Sequence, residues 1–203
     1  MNRASSILLL LYVAVAFQAA PTQKIAAFRW SSREARELVT GRDALAASRD
    51  ITDFEKARLL DALTIQFRGS SEPRKRAAKT RVKLVDLNGD GVPEVFCQAV
   101  DEEMCSPTGN CSFWLFQKDV NGYTLLLKKK AIQTFTIQPT KTNGYHDLVL
   151  GMHGSATDQE LFLYQIHEGQ YRKAACYDAN WEHLGKDGEY HRLTEPRITS
   201  CAK

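Results

Sequence analysis

Oxygen-bearing side chains fall at alternate positions in the stretch Asp86-Leu-Asn-Gly-Asp-Gly-Val-Pro-Glu94. Asp86, Asn88, Asp90 and Glu94 are the types that ligate a hard cation, and their spacing lets a tight loop turn each of them inward. Ca²⁺ suits the set, because it takes roughly 6–8 oxygens at about 2.3–2.6 Å and tolerates irregular geometry. Gly91 supplies a backbone position free to adopt positive φ, so the loop can fold back on itself. Gathered without a cation, the three carboxylates would repel one another. A plain turn is the competing reading, since Asn88-Gly89 and Asp90-Gly91 are both hairpin-turn dipeptides. Turn chemistry explains the glycines but not Asp86 and Glu94 together.

The flanks must hold this loop. Arg81-Val-Lys-Leu-Val85 before it and Val95-Phe-Cys-Gln-Ala-Val100 after it are rich in β-branched and apolar residues, which predicts a β-hairpin. Counting Asp86 as the first ligand, the twelfth position is Cys97, where a helix-flanked EF-hand carries a bidentate Glu. The nine residues instead resemble the integrin-type (FG-GAP or VCBS-type) calcium loop, with acids or amides at alternate positions and an acid four residues after the third. The resemblance covers 86–94 only. It implies one structural Ca²⁺ held by Asp86, Asn88, Asp90 and Glu94, with the Val92 carbonyl as backbone ligand. Such an ion fastens the ends of a hairpin and orients neighbouring loops.

A degraded repeat surrounds the loop. Gly91-Val-Pro-Glu-Val-Phe-Cys97 aligns with Gly144-Tyr-His-Asp-Leu-Val-Leu150 at an offset of 53. Phe113-Trp-Leu-Phe116 aligns with Leu161-Phe-Leu-Tyr164, and Tyr123 with Tyr171, at an offset of 48. Each copy reads as four short strands, with a weaker echo where Gly188-Glu-Tyr190 mirrors Gly169-Gln-Tyr171. In the second copy the ligand positions hold Pro139, Lys141, Asn143 and Asp147, which predicts an ion in the first copy only. Lys141 either puts a positive charge where the first copy puts a cation or points to solvent. Four-strand units with such loops resemble β-propeller blades, but two cannot close a ring that needs about four. Phe113–Phe116 and 161–164 are apolar on both faces, so these strands are covered on both sides.

The front of the chain reads differently. Residues 1–20 have the form of a signal peptide: Arg3, an apolar run over 7–17 and Ala14-Val-Ala16 as a small-x-small site. That run is too short for a membrane span, which needs about 20 residues. Residues 26–67 predict a helical pair, with capping-box spacings at Ser31/Glu34 and Thr52/Glu55 and a stop at Gly41. Phe54, Ala57, Leu60, Leu63 and Phe67 are expected on one buried face of the second helix. Residues 68–80 read as a solvated basic connector; no aromatic is interleaved for nucleic-acid stacking. The β-rich repeat domain occupies 81–203. The fold class expected is α+β: a helical pair, then an antiparallel meander of about eight to ten strands, curled or folded into a sandwich.

All five cysteines follow the leader, which in an exported protein makes them disulfide material. Cys105 and Cys111 bracket the turn-forming Ser-Pro-Thr-Gly-Asn, and Cys176 with Cys201 would pin the tail. Cys97, flanked by Val95 and Ala99 on its strand face, reads as a buried thiol. Asn110-Cys-Ser112 is formally a glycosylation sequon.

Catalytic patterns are missing. No nucleophile elbow, H-E-x-x-H, P-loop or dinucleotide glycine motif occurs. His146 and His153, seven apart in an extended stretch, point to opposite faces, and His167 sits at a hairpin with Glu168-Gly169. Glu102 and Glu103 lie too far along the strand to ligate the ion and read as a solvated strand end. A formal charge of +3 argues neither for nor against a charged partner. The reading that follows is an exported protein, secreted or periplasmic, without enzymatic activity. It is a β-rich binding or scaffold module with one structural Ca²⁺, and its partner is a protein or polysaccharide. An exported hydrolase inhibitor presenting the Cys105–Cys111 loop is one alternative. An enzyme of unrecognised type using Gly151-Met-His-Gly-Ser155 is another.

Overall fold

The computed structural model describes Trp30, the backbone of Arg36–Glu37 and residues 44–201. The signal-peptide reading of 1–20 lies outside the described residues. The described chain is mostly β, with two helices and nine antiparallel strands of five residues or more, plus a two-residue strand.

Helix α1 is Asp53–Gln66. It starts where the Thr52/Glu55 spacing places it: Thr52 Oγ1 accepts from the Glu55 N–H, and Glu55 Oε2 accepts from the Thr52 N–H. Leu63 and Phe67 of the expected face are buried, but Leu59 joins them in place of Phe54, which is 71 % exposed, and Ala57, which is exposed too. Steps of three residues each fall about 60° short of a full turn. Phe54 and Ala57 therefore drift away from the face on which Leu63 lies.

Two expectations need correction. At Arg36–Glu37, inside the first expected helix, the backbone is a strand, β1, paired antiparallel with Thr134 and Phe135. An open sheet edge offers its unpaired N–H and C=O groups there, and that tertiary pairing overrides local propensity. The basic connector 68–80 contains helix α2, Pro73–Lys79, with proline at its start and Ala77 buried. Proline suits that position because its missing N–H would be unsatisfied anyway.

From residue 81 two meanders follow. The first sheet runs β2 (Arg81–Val85), β3 (Glu94–Gln98), β4 (Cys111–Asp119) and β5 (Gly122–Ile132). The second runs β6 (Thr134–Thr142), β7 (Tyr145–His153), β8 (Asp158–His167), β9 (Gln170–Leu184) and β10 (Tyr190–Ser200), with β1 on its β6 edge. Their registers correspond. Val95 opposes Phe116 as Leu148 opposes Tyr164, and Cys97 opposes Trp114 as Leu150 opposes Phe162. A β-bulge between Leu115 and Phe116 recurs between Leu163 and Tyr164.

The sheets stack face to back. Val95, Cys97, Trp114 and Phe116 face α1, where the Phe67 ring packs 5.1 Å from Trp114. Their counterparts Leu148, Leu150, Phe162 and Tyr164 instead face the core between the sheets. Conversely, Phe96, Phe113 and Leu115 fill that core, with Phe96 stacked 4.6 Å from Phe135, while Val149, Leu161 and Leu163 pack with Trp30 on the far side. Both faces of β4 and β8 are covered, as their continuous apolar runs require.

Candidate metal centre

β2 ends at Val85 and β3 resumes at Glu94, so the loop sits at the tip of an antiparallel hairpin in which Val85 pairs with Glu94. Gly89 and Gly91 have φ of +85° and +82°, the left-handed region glycine enters freely. The Asp86 carboxylate organises the turn: Oδ1 accepts from the Gly89 N–H at 2.7 Å and Oδ2 from the Gly91 N–H at 3.0 Å. Those bonds hold its pKa below the usual carboxylate range. Asn88 Oδ1 accepts from the Asp90 N–H, and Asp90 Oδ1 accepts from the Val92 N–H at 2.7 Å. Asn88 Nδ2 donates to Asp90 Oδ2.

Glu94 closes the loop from beneath. It is 1 % exposed; Oε2 accepts from the Leu87 N–H at 2.8 Å, and the buried Oε1 has no hydrogen-bond partner. Burial, reinforced by the charges of Asp90 and Asp86, pushes its pKa up from the ordinary value. A buried carboxylate oxygen without a hydrogen-bond partner is costly in a low-dielectric setting. The side chains of the loop offer oxygen donors, the type a hard cation takes. Among the described residues, no three Asp, Glu, His or Cys side chains converge as a metal cluster. The Asp86 and Asp90 oxygens that bond the loop backbone each retain a second lone pair.

The loop is fastened to the second sheet. The His146 N–H donates to the Leu87 carbonyl at 2.8 Å, the Leu87 side chain is fully buried, and the Tyr171 hydroxyl donates to the His146 carbonyl at 2.8 Å. Lys141 reaches across too: its Nζ donates to the Asn88 carbonyl at 3.3 Å. Its charge thus stands beside the first copy's loop. Sequence reasoning missed Leu87; the signal was an apolar residue at the second position of an otherwise polar loop. In the second copy a two-residue turn, Asn143-Gly144, with φ of +48° and +87°, replaces the loop. Asp147, counterpart of Glu94, is also buried; Oδ2 accepts from Thr140 and Gln165, while Oδ1 has no partner.

The remaining sequence candidates are distributed over the sheets. Cys105–Cys111 and Cys176–Cys201 are disulfide-bonded. Cys97 is a free, fully buried thiol, and burial pushes its pKa well up, which makes it inert. Asn110 is buried, and its side chain accepts from the His153 N–H and donates to the His153 carbonyl. The Cys105–Cys111 loop is thereby tied to the end of β7, and the sequon's amide nitrogen is occupied. Glu102 and Glu103 are exposed, as expected, in the turn after β3, and Glu103 also pairs with Arg76 of α2, as does Asp101. His146 Nδ1 bonds the Gln138 carbonyl, and His191 bonds Asp187 on the β9–β10 hairpin.

No family model matches the chain, and neither a curated protein nor a solved structure matches it significantly. Among the described residues, no helix is long and apolar enough to cross a membrane.

Proposed function

We propose that this is an exported, non-enzymatic binding or scaffold module whose 86–94 loop holds one structural Ca²⁺. The observation that carries the reading is Glu94: a buried carboxylate with one unbonded oxygen, whose pKa is raised by burial and by the charges of Asp90 and Asp86. Asp86, Asn88, Asp90 and Glu94 would supply side-chain oxygens and Val92 its carbonyl. The ion would cancel the repulsion among the acids and stiffen the hairpin tip, which Leu87 bonds to the second sheet. Two disulfides support an oxidising, extracytoplasmic setting. The matching registers and face-to-back stacking support two blade-like units, with α1 standing where a preceding blade would sit. The packed Cys105–Cys111 loop lends no support to a protruding inhibitory loop.

The test is a thermal melt of the purified chain in Ca²⁺ and in chelator. Ca²⁺ raises Tm, and the double variant Asp86→Ala/Asp90→Ala abolishes the increment. Identical melting in both buffers rules the site out.

A further inference from the structure

We propose that the cavity beside the metal loop receives a lysine or arginine side chain from a partner polypeptide. The inference rests on reading the protein as a binding module, and it names that partner's chemistry. The cavity, about 250 Å³, lies where three segments meet: the turn entering α1, the exit of the metal loop and the β4–β5 hairpin. Its floor is apolar, with Ile51 and Val95 buried and Leu84 half-buried. Tyr123 lines it as well; among the described residues its hydroxyl makes no hydrogen bond, and burial pushes its pKa up to about 12, so it stays neutral.

Three charged groups stand on the lining: Asp50, Glu55 and Lys118. Glu55 and Lys118 are bonded to each other and cancel. The exposed Asp50 carboxylate has no hydrogen bond or ion pair among the described residues. The lining therefore carries one uncancelled charge, the Asp50 carboxylate, while Lys141 stands at the metal loop and Arg58 is bonded to the Val120 carbonyl of the β4–β5 hairpin. A guest with an apolar stem and a cationic head complements both parts: the stem lies on Ile51, Leu84 and the Tyr123 ring, and the head meets Asp50. An anionic guest meets unpaired negative charge, and an apolar one leaves that charge unanswered.

The surroundings suit a polypeptide rather than a free amine. Val92, Phe54 and Val120 are 43 %, 71 % and 92 % exposed. Arg58 joins the last two, donating to the Val120 carbonyl at 3.0 Å and lying 5.6 Å from the centre of the Phe54 ring. Exposed aromatic and aliphatic groups around an arginine are the usual material of an interface centre.

The test uses the isotope-labelled full chain and four probes: N-acetyl-lysine methylamide, its arginine analogue, its norleucine analogue and glucose. The basic probes shift the amide signals of Asp50, Val92 and Tyr123 saturably, and Asp50→Asn weakens them roughly three-fold, as for an exposed ion pair. Tyr123→Ala weakens both basic probes while the remaining spectrum keeps its dispersion. The proposal falls if norleucine amide or glucose binds as well as the basic probes, if neither basic probe shifts these signals, or if Asp50→Asn binds like the parent. Melting in Ca²⁺ and chelator is recorded on the same samples. A failed Ca²⁺ effect then marks the metal reading, and a failed titration marks this one.

Discussion

Leu87 and His146 are joined across the two sheets: the His146 N–H donates to the Leu87 carbonyl at 2.8 Å. Because the Leu87 N–H donates to Glu94 Oε2 at the same time, one peptide unit on each side of Leu87 links the buried acid to the second sheet. Whatever charge Glu94 carries is thus felt where the two meanders meet.

The first prediction concerns Glu94 itself. Glu94→Gln keeps an acceptor for the Leu87 N–H and removes the repulsion with Asp86 and Asp90, so Tm in chelator holds or rises while the Ca²⁺ increment is lost. Glu94→Ala strands the buried Leu87 N–H and costs about 1–3 kcal/mol in either buffer. Calorimetry of both variants, with and without Ca²⁺, separates the two effects.

Glu55 sets a pH dependence. Its bond to Lys118, with the Thr52 hydroxyl second, lowers its pKa from the ordinary 4.5 to about 2. A depressed folded-state value means that the charged form stabilises the fold above the ordinary carboxylate range, and that this contribution is lost as pH falls from about 4.5 towards about 2. Glu55→Gln preserves a capping residue of the accepted type while removing the charge. Its stability deficit is therefore present at pH 7 and vanishes near pH 2, as measured by denaturant titrations across the range.

Arg76 anchors α2 to the turn after β3 through Asp101, at 2.9 Å, and Glu103. The guanidinium is only 19 % exposed, so Arg76→Ala costs about 1–2 kcal/mol, beyond the value of a fully solvated pair. Lys75→Ala, in which an exposed i,i+3 pair with Glu72 is removed, changes stability by less than about 0.5 kcal/mol. Equal effects in urea melts would place α2 free of the sheet.

Asn110→Ala leaves the N–H and carbonyl of His153 without their side-chain partners and costs about 2–3 kcal/mol. Expressed in a host that glycosylates, the folded protein carries no sugar on Asn110, which mass spectrometry of the intact chain checks.

How much of this was legible in the sequence follows from the range of each interaction. The Thr52/Glu55 cap, the loop glycines and the pairing of cysteines across a short turn are local, and the chain states them within a few residues. The strands of both meanders were readable because side-chain alternation is itself a pattern in one dimension, and the offsets of 53 and 48 recur between their registers. The helix at Pro73–Lys79 was hidden, since a short run of Arg and Lys reads as solvated until Asp101 and Glu103 arrive from β3's far end. Arg36–Glu37 likewise takes its conformation from the β6 edge rather than from its neighbours.

The amino-acid order alone set the oxygen-bearing side chains of the 86–94 loop and the β-hairpin that carries it. Only the tertiary arrangement decided that Glu94 is sealed from water, that Lys141 of the second sheet bonds the 86–94 loop, and that corresponding faces of the sheets meet different layers. Those outcomes depend on which surfaces come together after the strands have formed, and no local propensity encodes a contact between residues 53 positions apart.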